Sequence, residues 1–390
     1  MLKILKSRFR WDRNEFSGAF GDIGADLPLL ISVANVANLN GTNLLVMFGG
    51  MQILSGLLYP FPMPVQPLKA MATIVISQKL TAATLHGAGL AIGIIMLLLT
   101  FTGSLEWLAK KIPKSVVRGI QFGLGLKLAS VALGDFVQTD GITGYGLAAI
   151  AFIIAVILIG NRRLPAALPI IAMGVGYAVF FQVDTTELVN QFGVQLPSWH
   201  VPTLTDIQTG FIVLTLPQIP LSLGNSVLAT RQLVQDYFPH QSVTIRKIGF
   251  TYAVMNLINP WFGGMPTCHG SGGIAGHFVF GARTGGSVII YGILLLGMGL
   301  FFGSGFDLLA KVFPLPILGV LLLFKAVALV ALIRDTAHLQ KDFSIIIIVG
   351  LLGASLPYGF ALGLLVGVIL HYFDYKIPLG VLSNLLPTRN

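Results

Sequence analysis

A single cysteine, Cys268, stands among 390 residues, so no internal disulfide and no multi-cysteine metal site can form. Charge is also scarce. Asp, Glu, Lys and Arg make up 10% of the chain, against about a quarter in soluble domains. The seven histidines show no HExxH-type spacing, so no metal is expected. Cys268-His269 is a lone thiol beside a lone imidazole, without the third group that orients a nucleophile and its base. No GxxxxGK[ST] loop is present, which argues against a P-loop nucleotidase. These absences point away from an enzyme, and neither a cofactor nor a nucleic-acid partner is expected.

What fills the chain is apolar. Hydrophobic residues make up 55% and the mean hydropathy is +0.84, so the chain reads as an integral membrane protein whose partner is the lipid bilayer. The 46 glycines suit helices that pack closely in lipid. Apolar segments fall into two sets of seven, about 14 transmembrane segments in all. The expected organisation is a cytoplasmic N-terminal segment 1–15, a first repeat 16–182, an extracytoplasmic loop 183–205, a second repeat 206–376 and a cytoplasmic tail 377–390. Lys3, Lys6, Arg8, Arg10 and Arg13 alternate with apolar residues, as in a short helix lying on the membrane surface.

Charge tests this count. With the N-terminus inside, 19 of the 24 Lys and Arg residues fall on the inner side, and the long loop 183–205 carries none. The net charge of +9 therefore reflects topology. Seven segments per half is an odd number, so the halves have opposite orientation, as in inverted-repeat transporters. LAKKIP at 108–113 matches LAKVFP at 309–314 in corresponding positions.

Two segments are broken. YPFPMPVQPLKAMATIVISQK at 59–79 and FGGMPTCHGSGGIAGHFVFG at 262–281 each open with Pro and Gly and close with a helix too short to span a bilayer. Such interruptions are tolerated at membrane depth only where they are buried in protein or line a cavity. Paired across two halves, they mark a substrate site. Free N–H groups at Val65, Gln66, Thr267, Cys268, His269, Gly270 and Ser271 would then face an anion. Side chains of Gln66, Thr267, His269 and Ser271 add donors. Lys69, one turn on, is an intramembrane cation that either draws the anion or neutralises Asp22 or Asp26. Those two aspartates, four apart, share a helix face and are the candidates for carrying a co-transported proton. Gln218 and Asn225, seven apart, are neutral donors suited to a dianion, or else ordinary interhelical bonds.

FGDIGADLPL (20–29), PMPVQPLKA (62–70), LPQIPLSLGNSV (216–227) and GGMPTCHGSGGIAGHFVFGAR (263–283) together resemble the molybdate transporter family, a distant branch of the sulfate permease superfamily. The resemblance implies an all-α fold shared with sulfate and uracil permeases, in which segments 3 and 10 are each a short strand plus a half-helix. It implies a core of segments 1–4 and 8–11 and a gate of segments 5–7 and 12–14. It also implies secondary import of a tetrahedral oxyanion by alternating access: molybdate, with sulfate or tungstate as competitors. Lys127 and Lys325 then sit at similar positions of two gate segments, where they either attract anions or snorkel to the interface. Moving two negative charges inward against 100 mV costs about 4.6 kcal/mol, so a proton is the expected co-substrate. The expected location is a bacterial cytoplasmic (inner) membrane with both termini inside. No C-terminal regulatory domain is expected. A homodimer is compatible with the implied fold. The rival readings are an anion exchanger or channel, and a nucleobase–proton symporter on the same fold.

Overall fold

The computed structural model describes residues 9–336 and 338–372. The basic segment 1–8 and the tail 377–390, with Lys376 and Arg389, lie outside the described residues. Residues 9–12 are not helical, and the first described helix begins at Arg13. The reason is local. Asp12 caps the first helix, accepting hydrogen bonds from the N–H groups of Asn14 at 2.8 Å and Glu15 at 3.1 Å.

The first half contains α1 (Arg13–Ala37), α2 (Gly41–Leu58), β1 (Val65–Pro67), α3 (Lys69–Gln78), α4 (Ala82–Phe101), α5 (Ser104–Lys111), α6 (Lys114–Phe136), α7 (Gly141–Leu158) and α8 (Ala167–Phe181). The second half repeats that order: α9 (Leu204–Tyr237), α10 (Ile245–Ile258), β2 (Thr267–His269), α11 (Ser271–Val279), α12 (Gly286–Gly305), α13 (Phe306–Lys311), α14 (Leu315–Asp335), α15 (Gln340–Ser355) and α16 (Gly359–Tyr372). Eight of the described helices (α1, α2, α4, α6, α7, α9, α12 and α14) are long and apolar enough to cross a membrane. The chain is a multi-pass membrane protein.

Helix starts follow polar caps: Asn40 for α2, Thr81 for α4, Thr203 with Asp206 as a capping box for α9, and Thr244 for α10. The broken segments follow from proline. Pro62, Pro64 and Pro67 cannot donate to a helix, and neither can Pro266, so the chain runs irregular or extended just ahead of α3 and, after a 3₁₀ turn at Asn259–Phe262, ahead of α11.

Two sets of helix contacts dominate the packing. In one, α2 lies against α12, and α4 against α10 and the start of α9. In the other, α6 packs on α14 and α15, and α15 on α16. Within the first group α2 and α12 touch backbone to backbone: a Cβ on Gly49 would come within 2.7 Å of the Gly292 carbonyl oxygen.

β1 and β2 pair antiparallel where the two broken segments meet, with Gln66 opposite Cys268. Their outward backbone groups are satisfied in matching ways. The Gln52 side chain accepts from Val65 N–H at 2.9 Å and donates to its carbonyl at 2.8 Å. The Asn256 side chain accepts from Thr267 N–H at 2.9 Å and donates to its carbonyl at 2.6 Å. Gln52 is on α2 and Asn256 on α10, the corresponding helices of the two halves. At this depth no water could replace those bonds.

Candidate functional site

The site grows from a break in α1. That helix stops at Ala19 and restarts at Ile23. The break sits where α1 crosses α11. A Cβ on Gly21 would come within 2.3 Å of Gly276 backbone atoms, and one on Gly276 within 2.2 Å of the Gly21 carbonyl. Only glycine at both positions permits the crossing. The break turns Asp22 inward, where it is fully buried.

Four charged side chains meet there. Asp22 forms an ion pair with Lys325 of α14, and both side chains are 0% exposed. Gln66 of β1 donates from Nε2 to both Asp22 oxygens, at 2.8 and 2.7 Å. Lys69 reaches Gln66 Oε1 at 3.4 Å. Asp26 lies beside Asp22, and neither of its buried oxygens has a hydrogen-bond partner among the described residues. Two lysines and two aspartates thus cancel formally. Lys325 was given two roles, anion attraction or snorkelling. It does not snorkel: its stem runs along the start of α11, with Cε 3.1 Å from where a Gly272 Cβ would stand. What the sequence did not suggest is its pairing with Asp22, because 303 residues separate the two. An unexplained intramembrane lysine was the available signal.

The two half-helix N-termini differ. At α3, Leu68 N–H donates to the Pro266 carbonyl at 3.1 Å. Ala70 and Met71 donate to Gln218 Oε1 at 3.0 and 3.2 Å. Gln218 Nε2 in turn donates to Ser222 Oγ at 3.1 Å. Gln218, expected as an anion donor, is therefore spent as a cap on α3. At α11, the N–H groups of Ser271 and Gly272 meet no acceptor among the described residues. Ser271 Oγ donates to Asn225 Oδ1 at 2.8 Å, which leaves the Asn225 amide N–H groups without an acceptor among the described residues. Asn225 sits in a π-helical stretch of α9, Ser222–Ala229, just past Pro217 and Pro220, whose missing N–H groups loosen the α-helical ladder.

Other expected donors have fixed partners. Val65 and Thr267 give their backbone groups to Gln52 and Asn256, as above, and Thr267 Oγ1 accepts from Asn259 Nδ2 at 3.2 Å. His269 Nε2 bonds Thr251 Oγ1 at 2.8 Å, and its carbonyl accepts from Thr230 Oγ1 at 2.9 Å. Cys268 is buried on β2 opposite Gln66, and Gly270 lies so close to Gln66 that a Cβ would overlap Oε1 at 1.7 Å. These residues shape the floor. The donors left without a strong partner among the described residues are the α11 N–H groups, the Asn225 amide and Lys69.

A cavity of about 460 Å³ opens beside this floor, and of the site's charged residues Lys69 alone lines it. Lys69, Ala70 and Thr73 of α3 line it, facing Leu124 and Lys127 of α6. Leu124 also approaches Gly272, 3.7 Å from its Cβ position. At the other end of α6 the chain is closed. Arg118, 1% exposed, holds Asp335 of α14 through Nε at 3.1 Å and Nη2 at 2.5 Å, and Asp236 of α9 through Nη1 at 2.7 Å. Arg283 caps α11. It donates to the carbonyls of Phe278 at 2.8 Å and Ala282 at 2.6 Å.

Comparison with known proteins bears on the fold and the family. Among solved structures the chain is similar to the transmembrane domain of a cyanobacterial bicarbonate transporter, BicA, with a TM-score of 0.56 at 18% identity, covering 92% of this chain and 97% of that one. It is also similar to the murine anion transporter Slc26a9 in its inward-facing state, with a TM-score of 0.58 at 14% identity, covering 96% and 71%. These establish the fold. Two relatives from Arabidopsis thaliana, molybdate transporter 2 and molybdate transporter 1, are 33% and 31% identical, over 92% and 94% of this chain and 87% and 90% of theirs. The family model described as molybdate transporter of the MFS superfamily matches residues 14–128 and 210–329, the two stretches that hold both half-helices, Asp22 and Lys325. The chain belongs to the molybdate transporter family, on the fold of the sulfate permease-like anion transporters.

Proposed function

We propose that this chain imports molybdate, with tungstate and sulfate as competing tetrahedral oxyanions, by proton-coupled alternating access. The observation that carries the reading is the start of α11. Two unpartnered N–H groups and the free amide of Asn225 stand beside Lys69 and Lys325, at membrane depth. An oxyanion there accepts several hydrogen bonds without stripping any donor from a helix.

Charge supports proton coupling. The cluster of Lys69, Lys325, Asp22 and Asp26 is formally neutral, so a bound dianion would leave two uncompensated negative charges in a buried site. Protons on the aspartates restore neutrality. Asp26 is the better carrier, because Asp22 already holds Lys325 and Gln66 while Asp26 has no donor among the described residues.

The alternating-access reading takes α1–α4 and α9–α12 as a moving core and α6–α8 and α14–α16 as a gate, with repeats at 16–182 and 206–376. It is supported by the open cavity at one end of α6 and the Arg118 ion pairs at the other. With the basic ends inside, the cavity faces outward in the cytoplasmic membrane.

The test is uptake of labelled molybdate into proteoliposomes with an imposed pH gradient, interior alkaline. Accumulation that collapses with the gradient is expected. Equal uptake with and without the gradient would overturn the coupling. Release of internal anion in strict exchange would make the protein an exchanger.

A further inference from the structure

The cavity above the site holds a second cation that the binding groups do not use. Lys127 lines it, exposed, one helical turn beyond Leu124. No ion pair or hydrogen bond holds Lys127 among the described residues. The lining includes no Asp and no Glu; its charged members are Lys69 and Lys127 alone. Ser32, Thr73 and Ser77 also line the walls, each with its hydroxyl donating to a carbonyl of its own helix. A cavity with two cations and no carboxylate in its lining favours one class of occupant, a small hydrated anion.

The alternating-access reading puts the two lysines in different helix groups. Lys69 is on α3, which packs with α1 and α9, whereas Lys127 is on α6, which packs with α14 and α15. We infer that Lys127 is an outer capture site: it draws the oxyanion into the cavity and passes it to Lys69 and the α11 N-terminus. This inference rests on the transport reading above and adds a residue to it. Lys127 stays with the gate helices when the core moves, so it holds the anion only before translocation. A single cation a few ångströms from a dianion in a water-filled cavity raises local occupancy about tenfold, and salt screens the effect.

The test is the initial rate of molybdate uptake in proteoliposomes, measured against concentration and at several ionic strengths, for the unmodified chain and for K127Q, K127R and K127E. K127Q is expected to raise the half-saturation concentration about tenfold, with a much smaller effect on the maximal rate. It should also flatten the fall of the rate with salt. K127R should restore both, and K127E should be worse than K127Q. A K127Q curve that superimposes on the unmodified one at every ionic strength would overturn the inference and leave a lysine that only snorkels. Equal damage from K127Q and K127R, with a lowered thermal transition, would also overturn it, since the residue would then be structural. If the unmodified chain carries no oxyanion, the transport reading itself fails, and the capture site with it.

Discussion

The ion pair between Asp22 and Lys325 joins α1 to α14 across the two helix groups, with both side chains fully buried. Replacing Lys325 by Met should strand a carboxylate whose remaining donor is Gln66 Nε2. Removing one member of a buried pair costs about 3–5 kcal/mol, because the other charge is left uncompensated. Asp22→Asn should cost a similar amount by stranding the lysine. Replacing both should cost far less than the sum, since neither charge then remains. Reversible denaturant unfolding in mild detergent would measure this, with tryptophan fluorescence as the signal; Trp199 stacks on Trp261 at 5.6 Å. The pH dependence has a definite sign. The K325M penalty should shrink as pH falls, because protonation neutralises the stranded acid, and the D22N penalty should shrink as pH rises. Strictly additive losses, each under about 1 kcal/mol, would refute the reasoning, because the two groups would then not be a coupled buried pair.

Three further outcomes follow from the same geometry. Asp26→Asn should abolish proton-driven molybdate accumulation while leaving equilibrium binding within a few-fold, measured by uptake and calorimetry on the same preparation. Asp236→Asn removes one charged partner of Arg118, worth about 1–3 kcal/mol. It should shift the protein away from the state with the open cavity, read as slower labelling of a Ser32→Cys reporter. Gly276→Ala places a methyl 2.2 Å from the Gly21 carbonyl. It should lower both the thermal transition and molybdate binding, because α1 and α11 must separate and Asp22 moves with them.

Much of the architecture was legible because membrane physics writes it into composition. Apolar runs, inner basic residues and two proline-broken segments need no partner to be seen. The half-helices at Lys69 and Ser271 were marked by the same breaks, the short strands ahead of them were implied by the family resemblance, and the β1–β2 pairing came only with the structure. What could not be read is who holds whom. Lys325 and Asp22 meet only after the chain has folded across itself. The Gln52 and Asn256 clamps look like ordinary polar residues in apolar helices until the strands they satisfy are in place. Gln218 and Asn225 looked equivalent in sequence, seven apart. The proline-loosened α9 sends one to cap α3 and leaves the other with free N–H groups. The asymmetry of the site therefore comes from tertiary contacts, not from the repeat.

The most direct test is calorimetric titration of the purified protein with molybdate, tungstate, sulfate, phosphate and uracil in parallel, repeated on Lys69→Gln. The account predicts that molybdate and tungstate bind most tightly and that Lys69→Gln weakens both about tenfold or more. Binding of uracil alone, or molybdate binding unchanged in Lys69→Gln, would contradict an oxyanion site at the start of α11.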